Sequence, residues 1–490
     1  MELYKLTAHE LHDKLVNKEV SSVELTNALY ERIDAVEDKV NAYVTLDKEN
    51  ALAQAAKVDA KIAAGEEIAP LAGVPGAIKD NICTKGLLTT CSSKMLSNVV
   101  PIYDAHVIKN LRADETIFLG KTNMDEFAMG STTETSYFGP TRNPWEESRA
   151  PGGSSGGCAA GVSAGFAWYA LGSDTGGSIR QPAGYCGLTG LKPTYGTVSR
   201  YGLVAYASSL DQVGPLCRDA ADCAAVLDLI QGKDHRDSTT VDGNYGGLLS
   251  SLTSDIRGLR VGLPVECFGE GLDPQVAQRV QEVAKVLQHR GATLTEVSIP
   301  ELKQVIPAYY VLASAEASSN LARYDGVKYG FRAEEYKNLT QMYENTRSQG
   351  FGKEAKLRIL LGTFVLSAGY YEAYYKKALA VKEQVKVGLE RAFAACDVLL
   401  TPATPHTAPK LGESLADPMK MYLSDLYTVP ANLAGLPALS MPCGVDGQGM
   451  PVGAQLMGPR FGEQVLLNTA HAYQQERDYH KRVPRGGEGR

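Results

Sequence analysis

Gly152-Gly153-Ser154-Ser155-Gly156-Gly157 and Gly172-Ser173-Asp174-Thr175-Gly176-Gly177-Ser178-Ile179-Arg180-Gln181-Pro182 are the stretches of this sequence on which its reading turns. Each is a glycine-rich loop carrying serine, and a small-residue segment joins them. Glycine allows close backbone approach and dihedrals closed to other residues. Two such loops side by side read as a place where amides and hydroxyls converge on a substrate.

Around the loops the chain is ordinary. Its 490 residues are 44% hydrophobic and 21% charged, with a net charge of −7. That composition suits a large soluble core. An acidic balance without a basic patch argues against gripping nucleic acid mainly by this chain. Nine cysteines, an odd number without Cys-x-x-Cys or zinc spacing, read as reduced thiols and a cytoplasmic location. Two uncharged runs, 150–173 and 426–445, are broken by glycine and proline, so no membrane span is expected.

Thr7-x-x-Glu10 and Ser21-x-x-Glu24 are capping-box patterns that open helices. Leu25, Leu29, Ile33 and Val36 follow the second at helical spacing. A third helix is expected over 48–64, ending at Gly65. Residues 1–65 thus read as a helical segment packed on a core. Strands are expected at 73–78, 116–119, 167–171 and 260–263, and helices at 104–112, 220–231 and 274–290. This alternation points to an α/β fold around a mixed sheet. The main domain is placed at 66–481, with a mostly helical stretch near 301–380 and a flexible tail over 482–490.

The serine chemistry does not follow from one pattern. Gly152-Gly153-Ser154-Ser155-Gly156 and Gly161-Val162-Ser163-Ala164-Gly165 both satisfy the hydrolase elbow G-x-S-x-G, but no downstream histidine has a distinctive context. A phosphate loop fails because no Gly-Lys-Ser/Thr follows. His9-Glu10-Leu11-His12 is one residue short of a zinc-protease motif, and no metal site is expected. The candidate base is Lys79, at the end of an apolar strand. Burial there would disfavour its ammonium form. Taken singly, Lys79 reads as a solvated charge at a strand end, and the serines as turn residues.

Taken together, Lys79 and the two loops resemble the amidase signature family in order and spacing, from about Leu71 onward. The resemblance implies that family's α/β fold, a large mixed sheet flanked by helices in an α/β/α sandwich. Three further segments resemble its tRNA-dependent amidotransferase branch: Thr122-Asn123-Met124-Asp125-Glu126-Phe127-Ala128-Met129-Gly130-Ser131, Leu366-Ser367-Ala368-Gly369-Tyr370-Tyr371, and the run from Tyr427 to Pro437. The resemblance implies Ser178 as nucleophile, Ser154 as a bridging serine after a cis Gly153–Ser154 bond, and Lys79 as terminal base. It implies an oxyanion hole from the backbone amides of Thr175, Gly176, Gly177 and Ser178. It also implies that Arg358, Asp425 and Tyr309 hold free glutamine. Asp174 and Arg180, flanking the nucleophile loop, are read as braces.

The implied reaction is glutamine hydrolysis through a γ-glutamyl acyl-enzyme. The ammonia would pass to an assembly of this chain with two other subunits, a heterotrimer. That assembly would convert mischarged glutamyl- or aspartyl-tRNA, held mainly by a partner. No cofactor is expected on this chain; ATP and magnesium would serve the assembly. The alternative is a free-standing amidase acting on small carboxamides.

Overall fold

The computed structural model describes residues 2–243 and 245–484. One sheet organises these residues. Its strands are β1 Tyr43–Leu46, β2 Pro75–Lys79, β3 Ile117–Thr122, β4 Tyr169–Asp174, β5 Thr189–Lys192, β6 Gln212–Cys217, β7 Arg260–Pro264, β8 Thr293–Val297, β9 Val398–Pro402, β10 Ala438–Val445 and β11 Pro451–Met457. Their spatial order is β1-β3-β2-β4-β6-β5-β10-β11-β9-β7-β8. β2 runs parallel to β3 and β4, and β7 parallel to β8 and β9, while the other pairs are antiparallel. The sheet is therefore mixed.

The sheet is apolar on both faces, and the strand period of two assigns each side chain to one of two cores. Val398, Leu400, Leu439 and Leu456 join one apolar cluster with the helices Ser22–Val40 and Pro274–His289. Their neighbours Leu399, Ala438 and Met457 join a second cluster with Val305–Asn320 and Lys376–Ala395. Helices thus cover both faces, which is the expected α/β/α layering. β2, β3 and β4 are buried along their whole length, as central parallel strands must be.

Both capping boxes form, at Thr7/Glu10 and Ser21/Glu24. The third helix runs Lys48–Ala64 and stops at Gly65, whose φ is 78°. The amino-terminal segment departs from its all-helical reading in one respect. Asn41 ends the helix Ser22–Val40 in the left-handed conformation, φ 55°, and turns the chain into β1. β1 then pairs antiparallel with β3. Four residues are too few to show an alternating pattern, so propensity carried no signal there. Within 301–380 the helices Val305–Asn320, Leu339–Gly350 and Lys353–Leu366 are present, with non-helical chain between Tyr324 and Asn338. In the expected tail, residues 485–490 lie outside the described residues. Among the described residues no helix is long and apolar enough to cross a membrane, and all nine cysteines are free and buried.

Candidate active site

β2 and β4 are adjacent and parallel, so their carboxyl ends open on the same edge of the sheet. Ile78 pairs with Leu171, which brings Lys79, the last residue of β2, level with the end of β4. The second glycine loop, with Ser178, leaves β4 directly after Asp174. Crevices at the carboxyl ends of strands are the usual sites in open α/β sheets.

Lys79 is fully buried. Its Nζ donates to Ser154 Oγ at 2.8 Å, to Ser173 Oγ at 2.9 Å and to the Ser173 carbonyl at 3.2 Å. These are oxygen acceptors of neutral groups, with no carboxylate among them. Burial therefore prevails and lowers the lysine to about 8, although Asp125 and Asp174 act in the opposite sense. A neutral Lys79 keeps two N–H groups for the Ser173 oxygens and turns its lone pair to Ser154. Asn81 Nδ2 donates to Ser173 Oγ at 2.9 Å and so fixes the second of these partners.

The first loop contains a cis Gly153–Ser154 peptide bond, where the resemblance placed it. The loop is held from several sides. Gly153 N–H donates to Gln181 Oε1 at 2.9 Å, Asp125 N–H to the Ser154 carbonyl at 3.3 Å, and Thr133 Oγ1 to the Gly152 carbonyl at 2.8 Å. Ser155 N–H reaches the Ser178 carbonyl at 3.1 Å and ties the two loops together. Beneath Gly153 the buried Asp125 accepts from the N–H groups of Thr132 and Thr133 and from the Thr135 hydroxyl. Burial raises Asp125 to about 6 against those bonds.

Of the two serines, Ser178 is the more exposed, at 8% against 0% for Ser154. Among the described residues its hydroxyl makes no hydrogen bond, so Lys79 and Ser154 are joined while Ser154 and Ser178 are not. Catalytic hydrogen bonds of unliganded sites commonly tighten only with substrate.

The oxyanion assignment needs one correction. Gly177 N–H donates to Asp174 Oδ1 at 2.9 Å and is not available to a substrate oxygen here. The carboxylate that ends β4 curls back over its own loop and takes this donor, and also Ile179 N–H at 3.2 Å. The backbone N–H groups of Thr175, Gly176 and Ser178 are unused among the described residues. Gly177 is nevertheless required as glycine. Its φ is +134°, and a Cβ there would run into the Thr428 hydroxyl.

Asp174 and Arg180 form the brace read from the sequence. Arg180 is wholly buried and bidentate on Asp174, with Nε–Oδ2 and Nη2–Oδ1 both 3.0 Å. Its remaining donors reach the Thr428 carbonyl, Gln455 Oε1 and Asn432 Oδ1. Burial would raise the Asp174 carboxyl, but the guanidinium outweighs it and holds the group at about 2. Both side chains are thus saturated with hydrogen bonds.

The three residues assigned to glutamine also come together. Tyr310 links two of them: the Arg358 guanidinium lies 4.5 Å from its ring centre, and its hydroxyl donates to Asp425 Oδ2 at 3.1 Å. Tyr309 packs edge-on against Tyr310 and abuts Gly176, where a Cβ would meet the Tyr309 hydroxyl at 2.5 Å. The pocket therefore adjoins the nucleophile loop. Ser131 Oγ donates to Asp425 at 2.9 Å, and burial raises that carboxyl to about 7. A cleft of about 520 Å³, lined in part by Ser131, Thr132, Gln181, Ser424 and Tyr427, opens beside it.

Sequence reasoning gave no role to Ser173, Asn81, Gln181 or Tyr310. Ser173 lay in the quoted motif two residues before Thr175, and only the β2–β4 register reveals that it faces Lys79. Among the described residues one trio of potential metal ligands gathers away from this site, His9, Asp219 and Asp222. Asp222 already accepts from Ala8 N–H, His9 N–H and His9 Nδ1, which makes it a pin for the first helix.

The sequence matches the amidase family model over residues 24–467, well upstream of the segment that carried the resemblance. It is 56% identical over 477 residues to the A-type subunit of glutamyl-tRNA(Gln) amidotransferase from Lachnospira eligens, covering 97% of this chain and 99% of that protein. The same protein of Moorella thermoacetica is 56% identical over 487 residues, covering 99% and 100%. The crystal structure of its Thermotoga maritima counterpart superposes with a TM-score of 0.81 at 40% identity, covering 98% of this chain and 97% of that one. Matched over most of its length in sequence and in architecture, the chain belongs to the amidase signature family.

Proposed function

We propose that this chain is the glutamine-hydrolysing subunit of a tRNA-dependent amidotransferase, using Lys79, Ser154 and Ser178 as its relay. The observation that carries the chemistry is the 2.8 Å hydrogen bond between the solvent-free Lys79 and Ser154, beside the Ser178 loop. Neutral Lys79 takes the Ser154 proton as Ser154 takes that of Ser178. Ser178 Oγ bonds to the side-chain carboxamide carbon, and the carbonyl becomes an oxyanion facing the free N–H groups of Thr175, Gly176 and Ser178. The C–N bond then breaks, and the relay returns its proton to the leaving nitrogen as ammonia. Water cleaves the γ-glutamyl ester and releases glutamate. Loss of one oxyanion donor typically costs about 10²–10³ in rate.

Arg358 and Asp425 favour free glutamine over a simple amide. The guanidinium suits an α-carboxylate and the carboxylate an α-ammonium, and an uncharged amide would leave both unmatched. The 56% identity to the A-type subunits of amidotransferases supports the same reading over a free-standing amidase. In this reading two other subunits complete a cytoplasmic heterotrimer. The partner holds the mischarged glutamyl- or aspartyl-tRNA and activates it with ATP and magnesium.

Ser178→Ala in the assembled complex tests this. Amidation of the mischarged tRNA is expected to fail with glutamine and to persist with added ammonium salt. Glutamine-supported amidation at wild-type rate would overturn the assignment.

A further inference from the structure

Arg358 is buried and held from several sides. It lies on the helix Lys353–Leu366, one turn after Glu354. Its Nε donates to Glu354 Oε1 at 2.6 Å, and its Nη1 to the Tyr206 hydroxyl at 2.9 Å. The Tyr310 and Tyr422 ring centres stand 4.5 and 5.2 Å from the guanidinium carbon, and the Tyr422 hydroxyl lies beside both Glu354 and Arg358. The two hydrogen bonds that hold Arg358 use Nε and Nη1, and neither uses Nη2.

Pairs of this spacing on an exposed helix face hold neither side chain still and contribute only a few tenths of a kcal/mol. This pair differs in burial, since the side chains are 3% and 13% exposed. An arginine has a long stem with much rotamer freedom, and a ligand that must first order it binds more weakly. Here two hydrogen bonds and two tyrosine rings hold the side chain without a ligand.

We propose that Glu354 is a positioning residue for substrate recognition: with Tyr206 it locks the Arg358 guanidinium in the orientation that receives the α-carboxylate of a free amino-acid amide. This rests on the reading of Arg358 as the carboxylate partner of glutamine. Glu354 touches no reacting atom and acts through Arg358. Its contribution belongs to glutamine binding, and the chemical step is left to the Lys79 relay. The oxygen that matters is the acceptor for Nε, which an amide oxygen can replace.

The test is steady-state glutamine hydrolysis by the full chain co-purified with its partner subunits, comparing wild type with Glu354→Ala, Glu354→Gln and Tyr206→Phe. Loss of a hydrogen bond to a charged group is worth about tenfold or more in affinity. Glu354→Ala is therefore expected to raise KM at least about tenfold, with kcat within about threefold. Glu354→Gln is expected to recover most of that KM, and Tyr206→Phe to raise KM in the same direction. An unchanged KM in Glu354→Ala overturns the inference. So does a loss confined to kcat, or a Glu354→Gln variant no better than Glu354→Ala. Glutamine hydrolysis in the wild type with any of those results rejects the role of Glu354 alone. Its absence in the wild type rejects the glutamine reading and this inference together.

Discussion

Lys79 Nζ lies 2.8 Å from Ser154 Oγ, and neither residue has measurable contact with solvent. With neutral acceptors around it, the lysine is lowered to about 8 by burial, so at neutral pH most molecules carry the ammonium form. The neutral fraction, which alone can accept the Ser154 proton, grows as pH rises through about 8. Glutamine kcat/KM is therefore expected to climb across that range and to level off above it. Lys79→Ala should lose the climb and at least about 10³ of kcat, with little change in glutamine affinity. Pre-steady-state binding and a pH–rate profile measure both. Loss of binding with a preserved pH profile would contradict the base role.

The pair of Asp174 and Arg180 is expected to be costly to break. Removing one member of a buried, hydrogen-bonded ion pair typically costs about 3–5 kcal/mol. Asp174→Ala strands the Arg180 guanidinium and also frees Gly177 N–H from its 2.9 Å bond. Chemical denaturation should show a loss of that size, together with reduced turnover from a loosened nucleophile loop. A variant with wild-type stability would show that the brace is dispensable.

Asp425 sits at about 7 because burial outweighs its bonds from Ser131 and Tyr310. Below that pH it is increasingly protonated and offers no charge to the glutamine ammonium. The KM for glutamine is expected to rise as pH falls through about 7. Asp425→Asn should have a raised KM that no longer varies there. A KM flat in pH for the wild type would remove Asp425 from recognition.

The glycine loops, the capping boxes and the ends of the long helices were legible in the sequence because each is set by local chemistry. Gly65 after the expected third helix and Ser21 three residues before Glu24 state their roles within one turn. Lys79 was legible only beside the loops, since a strand-end lysine looks the same whether buried or solvated. β1 was hidden because its partner β3 lies about 75 residues away and four residues show no period. The Lys79–Ser173 contact depends on strand register, which no local pattern encodes. The engagement of Gly177 by Asp174 depends on a carboxylate folding back over its own loop. Tyr310 resembles any core aromatic until Arg358 is seen across its face.

The central claim is that Ser178 becomes covalently acylated by glutamine under the control of Lys79 and Ser154. Rapid acid quench of the complex with glutamine, followed by peptide mass spectrometry, tests it most directly. The expected result is a γ-glutamyl ester on the Ser178 peptide, absent in Ser178→Ala. An adduct on another residue, or no adduct together with undiminished glutamine hydrolysis in Ser178→Ala, would contradict the mechanism.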